Sequence, residues 1–220
     1  MTSDSLALSR RRLVMAGAGG LAGAAGLPAI AAAAAPTGTD PADRDVLLVG
    51  ANPGLRLFDG DDVSVFASVW QVDWSTHGTG NAVVLWHDGS VRVLSRHREL
   101  AEWLESAFVR YFPEVEGLPW PRPRVEYSPV RVDIDLRRGM HARAGDVDVR
   151  MRGVLHRRTF ETDEFDLGGR VHSLSNLFAP CADAAVHVRG RRLPGSVVRG
   201  GTPQRPSSSA FLATAEIWKA

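Results

Sequence analysis

From residue 46 onward, apolar and polar positions alternate in short runs broken by turn residues. Along Val63 to Trp74, the side chains of Phe66, Ser68, Trp70, Val72 and Trp74 share one face, with Gln71 and Asp73 on the other, a period-2 pattern that predicts a strand. Ala82 to Trp86 and Val91 to Leu94 flank Asp88-Gly89, which predicts a hairpin because both central residues of a type I′ turn need positive φ. In the second half, Val130, Val132, Ile134 and Leu136 alternate with Arg131, Asp133, Asp135 and Arg137. Val147, Val149 and Met151 alternate with Asp148, Arg150 and Arg152, and the stretch holding Gly139 and Gly145 between them reads as a loop. Further runs cover Val154 to Phe160, Val171 to Phe178, Ala185 to Val188 and Ala210 to Trp218.

One segment changes period. Leu100, Trp103, Leu104, Ala107, Phe108 and Tyr111 recur at helical spacing, Ser95 can cap the start, and Pro113 stops it, so a helix is expected from Arg98 to Phe112. A rigid crossing, Gly117-Leu118-Pro119-Trp120-Pro121-Arg122-Pro123, follows. Gly190 to Pro206 reads as surface loop. Many short strands with a single amphipathic helix predict an all-β domain over 46–220, a mostly antiparallel barrel or sandwich. A lipocalin-like barrel is the natural candidate by fold-level analogy.

Before this domain the pattern is different. Arg10, Arg11 and Arg12 precede a run from Met15 to Ala35 that is nearly all Ala, Gly, Leu and Ile. This segment resembles a bacterial twin-arginine (Tat) export signal, with Arg10-Arg11 as the arginine pair. The resemblance implies handling by the Tat translocase and signal peptidase, cleavage between about Ala31 and Ala35, and an exported mature chain. Its glycines and Pro28 argue against an uncleaved membrane anchor, although the run could span a bilayer. Residues 1–35 are thus the signal and 36–45 a polar linker.

Charge and chemistry exclude more than they select. The chain carries +1, and removing the signal's Arg10, Arg11, Arg12 and Asp4, a net +2, leaves about −1, so nucleic-acid binding has no electrostatic basis. Cys181 is the sole cysteine, so no intramolecular disulfide forms; it reads as a small buried residue beside a turn. The seven histidines form neither H-x-H nor H-x-x-x-H, no nucleotide, thiol or serine-nucleophile motif is present, and no cofactor is implied. Glu161, Asp163, Glu164 and Asp166 ahead of Gly168-Gly169 read as a polar turn.

Asp133 and Asp135 could pass for a catalytic pair, but their arginine neighbours predict a solvated ladder in which Arg137 faces Asp148, Asp135 faces Arg150 and Asp133 faces Arg152. The aromatics say more. A closed barrel that turned the Trp70 face inward would form a ligand cavity lined by Phe66, Trp70, Trp74 and Trp86, with the helix closing one end. That reading makes the protein an exported β-barrel that binds a small apolar or amphipathic molecule. The alternatives are an envelope enzyme of cyclase, isomerase or hydratase type using Asp73, His77 or Glu216, and an extracytoplasmic protein-interaction module. Solid packing of the aromatic face against the helix removes the cavity and brings the interaction module forward.

Overall fold

The computed structural model describes residues 45–219; the segment expected to be a signal, with Arg10 and Arg11, and the expected linker up to residue 44 lie outside the described residues. In chain order the elements are β1 (Val46–Ala51), β2 (Gly54–Asp59), β3 (Asp62–Ser75), β4 (Gly80–His87), β5 (Ser90–Ser95), α1 (Arg98–Ala107), β6 (Arg124–Tyr127), β7 (Val130–Asp135), β8 (Gly139–Ala144) and β9 (Val147–Val154). They continue with β10 (Arg158–Leu167), β11 (Arg170–Val188), β12 (Arg191–Arg192), β13 (Arg199–Gly201), β14 (Pro206–Ser208) and β15 (Ala210–Lys219).

Two prolines divide what are otherwise continuous strands. Pro53 has no N–H for a ladder, so β1 and β2 are one strand broken at Asn52-Pro53. Asn52 Nδ2 stitches the break by donating to Ser68 Oγ at 2.8 Å and to the Val69 carbonyl at 3.0 Å. Ser128-Pro129 interrupts β6 and β7 in the same way. β6 lies parallel to β5, and β7 lies antiparallel to β8, so this broken strand closes the sheet into a barrel. The cyclic order is β1/β2, β3, β4, β5, β6/β7, β8, β9, β11 and β15, which returns to β1/β2. A parallel pair needs a crossover, and α1 with the proline-rich segment after it supplies one. The fold is the mostly antiparallel barrel with one amphipathic helix that the pattern predicts.

Side chains fill the lumen. Val65, Ala67 and Val69 of β3, Leu55 and Leu57 of β2, and Met140 and Met151 from the far wall belong to one buried cluster. A second core lies outside the barrel, where α1 covers β3, β4 and β5. The helix presents Leu100, Ala101 and Leu104 to that wall; it ends at Ala107, short of the expected Phe112, and two 3-10 turns follow, Val109–Tyr111 and Pro113–Val115, the second opened by Pro113. Ser95 does not cap α1: its Oγ accepts the His97 N–H at 3.0 Å and donates to the Asn81 carbonyl at 2.8 Å, so it shapes the turn into the helix. Asp88 and Gly89, at φ 49° and 65°, form the expected hairpin turn between β4 and β5.

Several local expectations change. The stretch read as a loop around Gly139 is β8, whose Met140, Ala142 and Ala144 point into the lumen. Alanine has little hydrophobic weight, so this alternation is faint in the sequence. β8 separates β7 from β9 and displaces the predicted ladder: Asp133 faces His141, Asp135 faces Gly139, and Asp148 faces Arg143. Burial opposes ionisation of Asp148, but hydrogen bonds from Arg150 and His141 outweigh it and hold the carboxyl below its usual range. Glu161 to Asp166 lie in β10, and the turn falls at Gly168-Gly169. The two runs ending at Phe178 and Val188 are one strand, β11, which changes partner near Pro180 from β10 to β9. Cys181 therefore sits mid-strand and fully buried, and burial pushes its thiol up to about 12, which leaves it unreactive.

Candidate functional site

The inward face of β3 changes character along its length. Val65, Ala67 and Val69 are followed at the same spacing by Gln71 and Asp73. β15 does the same: Ala210 and Leu212 give way to Thr214 and Glu216. Where both strands turn polar, the barrel opens into a cleft of about 480 Å³.

The strand registers set its walls. Gln71, Ala51, Thr214, Leu177 and Thr159 form one row across β3, β1, β15, β11 and β10. One step outward, Val49, Glu216, Ser175 and Glu161 form the next. Asp73 stands at the rim as the extra residue of a bulge: Val49 faces Trp74 and Gly50 faces Val72, so Asp73 has no partner on β1. Gly50 permits this approach, because a Cβ there would collide with the Gln71 carbonyl. Ile134 and Leu136 close the opposite side. The cleft is apolar where Ile134, Leu136, Leu177 and Val49 meet, and polar along Gln71, Thr214, Glu216 and Asp73. Ser175 Oγ donates to Glu161 Oε1 at 3.5 Å beside that rim. Chemically, such a surface offers apolar contact along the leucines and hydrogen-bond partners on the amide, hydroxyl and carboxylates.

No family model, curated protein or solved structure matches this chain.

Three of the four aromatic residues expected to line the lumen, Phe66, Trp70 and Trp86, lie elsewhere. The even-numbered positions of β3 up to Val72 face outward, beneath α1, and past the bulge at Asp73 the register sets Trp74 on the side of Val49. Phe66, Trp70 and Trp86 are buried there, at 1%, 2% and 6% exposure, and Trp74 stands 47% exposed. Trp70 packs edge-on to Phe108 at 5.6 Å and stacks with Phe112 at 6.2 Å. Phe66 meets Trp120 edge-on at 6.0 Å, and Trp86 Nε1 donates to the Pro119 carbonyl at 2.8 Å. That face is packed solid against the helix and the crossing. The reason is size: the lumen accepts Val, Ala and Leu, and the larger rings fit the gap between sheet and helix.

Of the polar groups considered for catalysis, Asp73 and Glu216 both line the cleft, and His77 does not. His77 stacks on Trp103 with ring centres 4.2 Å apart. Among the described residues, no group of three or more His, Cys, Asp or Glu is placed to hold a metal ion. Gln71, Thr214, Leu177, Ile134 and Leu136 were not singled out as site residues. The parallel apolar-to-polar transition on the odd positions of β3 and the even positions of β15 is the signal that finds the first two.

Proposed function

We propose that this chain is an exported β-barrel protein that binds a small amphipathic molecule in the cleft at the barrel mouth. The observation that carries the reading is the cleft itself: its volume of about 480 Å³ lies within the range of small-molecule sites, and apolar and polar walls face each other across it. The packed aromatic face gives a ligand no room, so the site moves to the lumen side. Solid packing of that face is the condition for preferring an interaction module; the cleft on the lumen side supplies a ligand site that this condition leaves out, and the ligand-binding reading is kept on it.

Native mass spectrometry of the mature protein, purified without detergent, is expected to show a retained small-molecule adduct. A bare polypeptide mass in every preparation counts against the reading. Export rests on Arg10 and Arg11 ahead of the weakly hydrophobic run. Changing both to lysine is expected to leave precursor in the cytoplasm, and continued export of that variant by the general secretory route contradicts the Tat assignment.

One observation favours a second reading. Asp73 and Glu216 lie on the same cleft wall, separated only by β1. An envelope enzyme of cyclase, isomerase or hydratase type could use them to move protons on a bound substrate. In that case Asp73→Asn and Glu216→Gln abolish turnover and preserve binding.

A further inference from the structure

The outer face of the β10–β11 ladder, on the other side of the sheet from the cleft, carries a cation without a counterion among the described residues. The Arg158 guanidinium lies 4.8 Å over the Phe178 ring, and its Nη1 donates to the Pro206 carbonyl at 3.1 Å. Phe178 is itself fixed by stacking on Phe211 at 4.9 Å. Arg205 immediately precedes Pro206, in a turn closed by Arg205 N–H donating to the Thr202 carbonyl at 3.0 Å and Thr202 N–H donating to the Arg205 carbonyl at 3.2 Å. The Arg205 N–H also donates to Thr202 Oγ1 at 3.1 Å. The Arg158 guanidinium is thus held against the backbone next to Arg205, near enough for the two charges to repel.

Neither has a carboxylate within ion-pair distance among the described residues. The contrast with other half-buried arginines is direct: Arg92 holds Glu126 and Asp146, and Arg150 holds Asp148. Burial, then repulsion from Arg205, makes the Arg158 charge harder to keep. Glu161, the nearest acid along β10, faces the cleft side with Ser175. Phe160, two residues from Arg158 and on its face, is 41% exposed and leaves an apolar ledge beside the pair.

We propose that Arg158 and Arg205 form a subsite for a phosphate oxyanion on this outer face. Guanidinium groups offer forked donors that match phosphate oxygens, and an anion placed between the pair cancels both the repulsion and the desolvation. The phosphate can belong to a free anion or to a lipid headgroup, with Phe160 against the adjoining apolar part in the second case.

The test uses the intact mature protein in two arms. Inorganic phosphate is compared with chloride at equal ionic strength by thermal melting and by NMR titration. Vesicles of phosphatidylglycerol are compared with vesicles of phosphatidylcholine by co-sedimentation. Arg205→Ala, at an exposed turn position, removes the second guanidinium without touching the core. A phosphate-specific rise in midpoint, with affinity lowered roughly tenfold or more in Arg205→Ala, supports a site for free phosphate. Arg205-dependent pelleting with phosphatidylglycerol alone supports the headgroup. Absence of both effects, or their persistence unchanged in Arg205→Ala, overturns the proposal.

Discussion

Replacing Trp70 by alanine is expected to cost about 3–5 kcal/mol of folding stability, the range for truncating a buried aromatic, and to leave binding in the cleft unchanged. Trp70 is 2% exposed and sits between Phe108 and Phe112, so truncation opens a hole in the second core and loosens α1 from β3. Its Nε1 is buried without a hydrogen-bond partner. Trp70→Phe therefore loses volume but no hydrogen bond, and it is expected to cost less than the alanine change. Urea denaturation of both variants measures the difference. A cost below about 1 kcal/mol for Trp70→Ala contradicts the packing role assigned to this residue.

Arg92→Ala is expected to cost about 2 kcal/mol and to spring the barrel's closing seam. Arg92 Nε and Nη2 donate to the two Glu126 carboxylate oxygens, both at 2.8 Å, and Nη2 also reaches Asp146 Oδ1 at 2.7 Å. One side chain thus joins β5, β6 and the β8–β9 turn. The guanidinium retains 23% exposure, which keeps the cost below that of a fully buried pair. Lysine cannot reproduce the fork, so Arg92→Lys recovers only part of the loss. The pH dependence has a definite sign. Hydrogen bonds from Arg92 lower the folded-state pKa of both Glu126 and Asp146. Their contribution is complete above the unfolded carboxylate range, near ~4, and is lost as pH falls through the folded values. The stability gap between wild type and Arg92→Ala should stay level from pH 8 to about 5 and narrow below about 4, followed by denaturation at each pH. A gap that widens on acidification contradicts the assignment.

The strand periodicity, the Asp88-Gly89 hairpin and the helix were legible because large apolar side chains mark them. β8 was hidden because its inward residues are Met140 and two alanines. β10 was hidden because its charges resemble a turn, although an exposed edge strand carries such charges as protection against pairing. The error with the largest consequence concerned β3. From Val65 to Trp70 both of its faces are buried, so alternation no longer tells lumen from helix side. Ring size decides it, and the lumen-facing set is the odd-numbered one that ends in Gln71 and Asp73. The broken strand β6/β7 could not be foreseen either, since the parallel pairing of β5 with β6 depends on where the crossing after α1 returns.

The most direct measurement is a fluorescence titration of the mature protein with Nile red, a neutral apolar probe, in wild type, Thr214→Trp and Trp70→Phe. Thr214 lies at the centre of the cleft wall, between Ala51 and Leu177, where an indole fills the space. Wild type and Trp70→Phe are expected to bind with the same affinity, and Thr214→Trp at least about tenfold more weakly at unchanged folding stability. Equal binding by Thr214→Trp and wild type, or selective loss in Trp70→Phe, would contradict the placement of the site at the barrel mouth.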